Sequence, residues 1–241
     1  MRVLLTGAAG YAGRGIAQML HEDHYVRGLD IVAASEGVDE VILGDLTDLE
    51  VCRQAVAGMD ALVLCHMARN PDGYQTPPPA IDINVKGTVN LYHAAVESGI
   101  TRCILISTID VIDKARCGSP YPGDGPYNYK SELYGLTKIM QECVARHYYD
   151  KHGISTVVLR PGWIVYDESL ITKYGFKMDH YEAHLIDPRD IGSAVVSALA
   201  LPDPTLEAYQ LGQDDSDLEL EPIHRRLGWS QCHRFDRLRE L

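Results

Sequence analysis

Residues 3–13 read VLLTGAAGYAG, a short apolar run that leads directly into three glycines. The run Val3–Thr6 predicts a strand, and the residues after the glycines predict a helix. At such a junction Gly7 permits a tight turn, Gly10 lets the backbone approach a pyrophosphate, and Gly13 lets the helix pack closely on the strand. The N-terminus of the helix adds N–H groups and a partial positive charge for the phosphates. An ordinary strand–helix turn can also carry glycines, but this context favours a dinucleotide-binding turn.

Asp30 ends the second predicted strand, 23 residues after Gly7. A dinucleotide-binding fold places an acidic residue at this distance, against the adenosine ribose. The carboxylate can accept hydrogen bonds from both ribose hydroxyls, and its charge repels a 2′-phosphate. Ile31 follows instead of a basic residue. We therefore predict that the cofactor is NAD rather than NADP, although the nearby Arg14 could contact a phosphate.

Short apolar runs alternate with longer helical patterns along most of the chain. Most of the apolar runs are continuous rather than alternating, as in a parallel sheet that is covered on both faces. We predict six strands, at Val3–Thr6, Tyr25–Leu29, Val41–Leu43, Ala61–Cys65, Cys103–Ser107 and Ser155–Leu159. We predict five helices, at Tyr11–His21, Leu49–Ala57, Ala80–Ser98, Ser131–Lys151 and Asp190–Ala200. This order predicts an α/β fold with a Rossmann-type, doubly wound parallel sheet.

The length of 241 residues fits one large domain, or one domain with a small appendage. We predict that residues 1–160 form an NAD-binding core, completed by residues 186–203. Residues 161–185 and 204–241 are then left for a small C-terminal substrate-binding lobe.

Charge and composition exclude several classes of partner. The chain has 22 Lys and Arg against 34 Asp and Glu, a net charge of −12. This balance disfavours nucleic acid and anionic membranes as partners. The apolar runs are far shorter than the ~20 residues of a membrane span. Six cysteines without a CxxC pair indicate reduced thiols, so we expect a cytoplasmic protein.

Tyr134 and Lys138 lie four residues apart on a predicted helix, so their side chains share one face. An ammonium group beside a phenol favours the phenolate and lowers the pKa of the tyrosine. Such a tyrosine can accept the proton of a substrate hydroxyl while a hydride leaves the same carbon. A Tyr-x-x-x-Lys pair also occurs by chance on solvated helix faces, but its place after a glycine-rich NAD turn favours a catalytic role.

The Gly-x-x-Gly-x-x-Gly spacing resembles the extended branch of the short-chain dehydrogenases/reductases, the NAD-dependent epimerase/dehydratase family. Further motifs of that family follow in order along nearly the whole chain: Asp45-Leu46, His66-Met67-Ala68, Asn84-Val85-Lys86-Gly87-Thr88, Tyr134-Gly135-Leu136-Thr137-Lys138, Arg160-Pro161-Gly162, Asp187-Pro188-Arg189-Asp190-Ile191 and Leu227-Gly228-Trp229.

The resemblance implies a set of residues that contact NAD. Asp45 and Leu46 correspond to the pair that holds the adenine, and His66 begins the turn beneath the cofactor. The full set that it implies is Gly7, Gly10, Tyr11, Ala12, Gly13, Asp30, Asp45, Leu46, His66, Met67, Ala68, Tyr134, Lys138 and Pro161.

The resemblance also implies a third catalytic side chain, a hydroxyl at the end of the fifth strand. Aligning Val111 with the family's valine puts Thr108 at the catalytic hydroxyl and Ser107 beside it as a weaker candidate. The structural alternative for Ser107 is a strand-end hydroxyl that the backbone satisfies. Ile112-Asp113 replaces the family's usual Tyr-Gly.

Length restricts the substrate. Only Trp163–Leu185 separates the Arg-Pro-Gly motif from Ile186, which leaves little protein to enclose a second nucleotide. The compact plan resembles that of uronate dehydrogenases and similar small sugar dehydrogenases. We therefore expect a small sugar, sugar acid or polyol, with Arg69, Ser107, Thr108 and Lys173 as candidate substrate contacts.

Two other functions remain open, a nucleotide-sugar epimerase or dehydratase and a non-catalytic dinucleotide sensor. The complete Tyr/Lys/hydroxyl set argues against the sensor. His180 and His184 have the i,i+4 spacing of zinc ligands but lack an evident third ligand, so we expect no metal. The resemblance implies a possible homodimer.

Overall fold

The computed structural model describes residues 1–33, 36–68, 77–202 and 205–240. The main sheet consists of β1 (Arg2–Thr6), β2 (Tyr25–Asp30), β3 (Glu40–Leu43), β4 (Ala61–Leu64), β5 (Arg102–Ile106), β6 (Ser155–Pro161) and β9 (Leu206–Leu211). Its order is β3-β2-β1-β4-β5-β6-β9, with every neighbouring pair parallel. A second, two-stranded sheet pairs β7 (Trp163–Ile164) with β8 (Leu185–Ile186). This topology confirms the predicted α/β fold.

The α-helices are α1 (Tyr11–His21), α2 (Leu49–Val56), α3 (Pro77–Pro79), α4 (Gly87–Glu97), α5 (Leu133–His152), α6 (Pro188–Leu199), α7 (Glu221–Leu227) and α8 (Asp236–Arg239). Short 3₁₀ turns occupy Ile109–Val111 and Lys114–Arg116. The helix predicted over Ala80–Ser98 is divided, because Ala80–Lys86 is π-helical and only the part from Gly87 is α-helical. The other four predicted helices and all six predicted strands are present, with ends that differ by at most two residues.

Both faces of the main sheet are covered. Val3 and Leu5 of β1 belong to the apolar core shared with α1 and α6, whereas Leu4 belongs to the core shared with α2, α4 and α5. Side chains alternate across a strand, so a strand buried on both sides must be apolar at consecutive positions. This accounts for the continuous apolar runs of the sequence.

The seventh strand, β9, was not predicted. It pairs with β6 at the outer position of the main sheet, so residues 206–211 extend this sheet rather than a separate lobe. The prediction that assigned all of residues 204–241 to the lobe is wrong for this strand. The physical reason is its edge position, because Leu206–Leu211 is buried at only three of its six residues and carries Glu207 and Gln210.

Hydrogen bonds to Asp190 of α6 hold the C-terminal segment, residues 229–240, at this helix. The Asp190 carboxylate accepts hydrogen bonds from the backbone N–H groups of Cys232, at 2.9 Å, and His233, at 3.1 Å. The indole N–H of Trp229 donates to the Asp190 carbonyl at 3.0 Å. The late Asp-Pro-Arg-Asp motif therefore holds the C-terminal segment against α6, which packs on α1.

Candidate active site

A cleft of about 700 Å³ opens at the carboxyl edge of the sheet. It lies beyond the ends of β1, β2, β4 and β5, where open α/β sheets bind ligands. The cleft brings together the predicted residues Gly7, Gly10, Tyr11, Ala12, Gly13, Asp30, Asp45, Leu46, His66, Met67, Ala68, Ser107, Tyr134, Lys138 and Lys173. Two further predicted residues that the structure describes, Thr108 and Pro161, do not line the cleft. Arg69 lies outside the described residues.

The glycine-rich turn has the geometry that a pyrophosphate requires. Gly7 has a φ of +69°, which glycine adopts without strain. A Cβ at Gly13 would lie 2.0 Å from the carbonyl oxygen of Gly7, so no larger residue fits there. Gly10 precedes the first residue of α1, and no side chain among the described residues caps this helix end. Its N–H groups therefore face the cleft as an anion-binding site.

Asp30 supports this turn from the neighbouring strand. Its Oδ2 atom accepts a hydrogen bond from the N–H of Ala9 at 3.0 Å, and Oδ1 accepts one from the N–H of Val32 at 3.2 Å. Each carboxylate oxygen can accept a further hydrogen bond. Asp30 is thus placed both to shape the turn and to bind a ribose diol at the rim of the cleft.

The wall of the cleft at Leu46 depends on a contact between two distant motifs. The side chain of Leu46 packs so closely on Gly87 that a Cβ there would lie 1.6 Å from Leu46 Cδ1. The Asn90 amide donates to the Leu46 carbonyl at 3.0 Å. Gly87 at the start of α4 therefore makes room for Leu46 at the cleft wall.

His66 lies beneath the cleft as a buried, neutral imidazole. Its Nδ1 atom is 2.8 Å from the Thr6 hydroxyl, and its Nε2 atom is 3.1 Å from the Thr88 hydroxyl. Burial and the charge of nearby Lys138 lower the pKa of His66 to about 3. The ring therefore supports the floor of the cleft rather than exchanging protons at neutral pH.

Asn84 is a buried positioning residue. The sequence indicates it only as the first residue of the motif at 84–88. Its Oδ1 atom accepts the N–H of Ala68 at 2.7 Å, and its Nδ2 atom donates to the Thr137 hydroxyl at 2.9 Å. Thr137 in turn donates to the Tyr134 carbonyl at 2.8 Å. Asn84 thereby links the turn after β4 to the first turn of α5. A polar amide between two apolar residues, Ile83 and Val85, is the signal that could have identified it.

Tyr134 and Lys138 lie on the first turns of α5, as predicted. The Lys138 ammonium is buried, lies 6.0 Å from the centre of the Tyr134 ring and donates to the Ile106 carbonyl at 2.9 Å. Burial is the main reason that the pKa of Lys138 falls to about 8. A fixed cation close to a phenol stabilises the phenolate, which is the proton-accepting form.

The two predicted hydroxyls face different surroundings. Ser107 lines the cleft and donates to Glu142 Oε1 at 2.6 Å, so a side chain and not the backbone satisfies it. Thr108 Oγ1 accepts the N–H of Asp110 at 3.3 Å and caps a short 3₁₀ turn. Thr108 has extended backbone, with a φ of −157°, so consecutive side chains point to opposite sides. The structure brings Ser107 to the cleft wall, and Thr108 as the catalytic hydroxyl stays a prediction.

The segment after β7 runs along the opposite side of the cleft. The Tyr11 hydroxyl donates to the Ile171 carbonyl and accepts the N–H of Tyr166 at 3.1 Å. Lys173 on this segment is exposed, and its ammonium lies 5.8 Å from the centre of the Tyr134 ring. A cationic side chain therefore stands beside the proposed proton acceptor.

The remaining predicted residues have structural partners. Pro161 is buried at the end of β6 and pairs with Leu211 of β9. His180 lies beside Asp179, at 2.7 Å, and His184 lies beside Asp217, at 2.5 Å. Neither histidine is on a helix.

Across the part of the chain that the structure covers, no helix is both long and apolar enough to cross a membrane.

Comparisons with known proteins show the family of this chain. The NAD dependent epimerase/dehydratase family model matches residues 3–165. L-arabinose 1-dehydrogenase (NAD(P)(+)) from Haloferax volcanii is 29% identical over 249 residues, which cover 95% of this chain and 95% of that protein. Uronate dehydrogenase from Pseudomonas syringae pv. tomato is 33% identical over 168 residues, which cover 67% of this chain but only 58% of that protein.

A solved structure extends the likeness to the whole chain. Glucuronic acid dehydrogenase from Chromohalobacter salexigens superposes with a TM-score of 0.80 at 25% identity, covering 99% of this chain and 87% of that one. Family model, relatives and fold confirm the predicted NAD-dependent enzyme class. With its glycine-rich turn, Tyr-Lys pair and matched residues 3–165, this chain belongs to the NAD-dependent epimerase/dehydratase family.

Proposed function

We propose that this enzyme oxidises a hydroxyl of a small free sugar or sugar acid, with NAD as the hydride acceptor. The observation that carries the proposal is the Tyr134–Lys138 pair on the wall of a cleft that begins at the glycine-rich turn. The arabinose and uronate dehydrogenases among its relatives support this reaction and this substrate class.

The described residues fit a bound NAD molecule. The N–H groups at the start of α1 would hold the pyrophosphate, Asp30 the adenosine ribose, and Leu46 the adenine. The contact with the Gly7 carbonyl oxygen requires glycine at position 13, and glycine at position 87 leaves the space that Leu46 fills. When bound, NAD supplies the acceptor for the hydride that leaves the substrate carbon.

Tyr134 carries out the proton transfer in this proposal. Its phenolate oxygen accepts the proton of the substrate hydroxyl, so that the oxygen can form a carbonyl as the C–H bond breaks. Lys138 favours the phenolate by its charge, and the Ile106 carbonyl holds the ammonium in place. Asn84, acting through Thr137, positions the helical turn that carries Tyr134.

We further propose that Lys173 binds the carboxylate of an acidic sugar. Its exposed ammonium beside the Tyr134 ring supports this role. The short segment 163–185 and the residues after β9 form the proposed substrate lobe, which suits a monosaccharide better than a sugar nucleotide.

A screen for NADH formation tests the proposal. The purified enzyme should reduce NAD with L-arabinose or with D-glucuronate and D-galacturonate, and should leave UDP-sugars unchanged. Chromatography of the sugar nucleotides accompanies the screen, because an epimerase forms no net NADH; turnover confined to UDP-sugars would contradict the proposal and indicate an epimerase.

The charge of Lys173 is tested separately. Replacing it by alanine should lower kcat/KM for uronates by about 10- to 100-fold, the value of a charge-assisted hydrogen bond, and leave neutral sugars nearly unaffected. Lys177→Ala, on the same exposed segment, is the matched control. Equal effects of both variants on uronates would refute the carboxylate contact.

We propose that the enzyme forms a homodimer in the cytoplasm. An apolar groove of about 450 Å³ on α4, α5 and the preceding π-helical segment supports the dimer; it is lined by Val85, Val89, Met140, Cys143, Val144, His147 and Tyr148. All six cysteines are free, which supports a reducing compartment. Sedimentation velocity should give a dimer that Val89→Glu, but not Leu43→Glu on the outer strand β3, converts to a monomer.

A further inference from the structure

Four polar side chains form a group behind the cleft wall that the proposed reaction does not use; three are buried and the fourth, Tyr127, is partly buried. Glu142 on α5 pairs with Arg160 of β6, and both side chains are 4% exposed. Arg160 donates from Nε to Glu142 Oε1 at 2.9 Å and from Nη2 to Oε2 at 2.6 Å. The Tyr127 hydroxyl donates to Oε2 at 3.0 Å. Ser107 completes the group, with its hydroxyl 2.6 Å from Oε1.

The Arg160 pair fixes the direction of the Ser107 hydrogen bond. A carboxylate paired with a guanidinium through both oxygens accepts hydrogen bonds and has no hydrogen to donate. Ser107 must therefore donate its single hydroxyl hydrogen to Glu142. A serine hydroxyl has one hydrogen and two lone pairs, so only lone pairs are left for a ligand in the cleft.

This direction restricts what Ser107 can recognise. A carbonyl oxygen, an ether oxygen or a fluorine has no hydrogen to offer and would face the lone pairs without a bond. A hydroxyl group offers the hydrogen that Ser107 can accept. The reacting hydroxyl gives its proton to Tyr134, so the hydroxyl that Ser107 accepts from is a different one.

We propose that Glu142 is a positioning residue that fixes Ser107 as a hydrogen-bond acceptor, and that Ser107 recognises a free hydroxyl on the carbon next to the one oxidised. The inference rests on the proposed function and narrows its substrate class to sugars with two adjacent hydroxyls at the reacting end. Ser107 follows Ile106, whose carbonyl holds the Lys138 ammonium, so Ser107 lies one residue from the contact that fixes the catalytic pair. Ser107 and Tyr134 both line the cleft, so one bound sugar can present its reacting hydroxyl to Tyr134 and a neighbouring hydroxyl to Ser107.

The test compares D-glucuronate and L-arabinose with their 2-deoxy-2-fluoro analogues. Fluorine is close to a hydroxyl in size but cannot donate a hydrogen bond. Dissociation constants are measured in the presence of NADH, so the test needs no turnover, and kcat/KM is measured with NAD. Wild-type enzyme should bind the hydroxyl form of its preferred sugar about tenfold more tightly than the fluoro form, the value of one neutral hydrogen bond. The ratio that decides the test is the dissociation constant of the fluoro form divided by that of the hydroxyl form. A ratio near one for both sugars in wild-type enzyme overturns the inference.

Ser107→Ala should bring this ratio close to one by weakening only the hydroxyl form, whereas a merely structural role would weaken both forms equally. Tyr127→Phe removes another donor to Glu142 and leaves Ser107 in place, so the ratio should persist whatever happens to the overall rate. A ratio that Ser107→Ala leaves at the wild-type value overturns the inference. The screen for NADH formation reports separately on the proposed function.

Glu142→Gln tests the positioning role. The side-chain amide that this substitution introduces can donate to Ser107 and free the serine hydrogen for the cleft, so the fluoro form should regain affinity and the ratio should fall. Removing one partner of a buried ion pair is strongly destabilising; if the variant does not fold, the Ser107→Ala ratio decides the inference alone. A folded Glu142→Gln protein with the wild-type ratio overturns it.

Discussion

At the residue scale, Tyr134 and Lys138 have different surroundings, although the sequence presents them as a single motif. Tyr134 is half-buried at the cleft wall, whereas Lys138, four residues later, is buried and bound to the Ile106 carbonyl. The tyrosine can reach a substrate, and the lysine acts mainly through its charge. Changes at the two positions should therefore have different consequences.

Tyr134→Phe removes the proton acceptor and leaves the cofactor cleft intact. We expect kcat to fall by about 10²- to 10⁴-fold, the usual contribution of a positioned acid–base group, with the Kd for NAD nearly unchanged. Lys138→Ala should lower both kcat and the affinity for NAD. Titration of NAD by protein fluorescence, together with steady-state kinetics, separates these effects. Wild-type turnover by Tyr134→Phe would exclude the proposed mechanism.

We expect Asp30 to control the choice between NAD and NADP through its charge. Asp30→Asn keeps the shape and the acceptor oxygen but removes the repulsion of a 2′-phosphate, so NADP should gain affinity relative to NAD. Asp30→Ala should weaken NAD more than NADP, because the hydrogen bonds to the ribose are lost as well. Competitive titration of the two cofactors measures the ratio. Wild-type enzyme that binds NADP as tightly as NAD would contradict this assignment.

At the scale of secondary structure elements, α4 and the loop after β3 meet where Leu46 fills the space left by Gly87. Gly87→Ala should push Leu46 from the adenine side of the cleft and cost about 1–3 kcal/mol of folding free energy, as overpacking does. The Kd for NAD should rise at the same time. Gly118→Ala, whose Cβ would meet no atom within 4 Å, is the matched control. In a Leu46→Ala background the same Gly87→Ala change should cost little stability, and an undiminished cost there would exclude this contact as the cause.

Several of the strands that the sequence predicted are buried on both faces. β1 and β4 are buried on both faces, so their runs of consecutive apolar residues could be recognised without knowledge of their neighbours. β9 is half-buried at the sheet edge, and its mixed residues depend on contacts with β6 that the sequence does not display. The π-helical turn at Asn84 depends likewise on the distant partners Ala68 and Thr137.

The residues of the candidate site also divide into those that local spacing predicts and those whose role depends on distant contacts. The glycine-rich turn, Asp30 and the Tyr134–Lys138 pair follow from local spacing, and the structure brings all of them to one cleft. Which of Ser107 and Thr108 faces the cleft depends on the backbone conformation at the end of β5, which the sequence does not display. The role of Glu142 depends on Arg160, 18 residues away and on another element.

At the scale of the whole molecule, stability depends on pH through His66. Its folded-state pKa of about 3 lies below the ordinary value of 6.5. Between these values the unfolded chain binds a proton that the folded protein does not, so the free energy of unfolding falls as the pH is lowered from 6.5 towards 3. Each pH unit in this window costs about 1.4 kcal/mol.

His66→Gln should remove this dependence, because glutamine keeps hydrogen-bonding capacity but does not titrate. Urea unfolding at pH 7, 6 and 5 should give a shallower decline for the variant than for wild-type protein. Parallel declines in the two proteins would show that other groups control acid stability.

The attachment of the C-terminal segment to Asp190 has a consequence for local opening. Cys232 and His233 lie outside any helix or strand, yet their N–H groups are bound by a carboxylate that is 2% exposed and belongs to α6. α6 packs on α1 through Gly15 and Gly192, where an added Cβ would meet Pro188 of α6 or Met19 of α1 within 3 Å. Residues near the end of the chain should therefore unfold together with the nucleotide-binding helix, and their amide protons should exchange with solvent as slowly as those of α6. Native-state hydrogen exchange would reveal this irregular segment as part of the same cooperative unit as the centre of the fold.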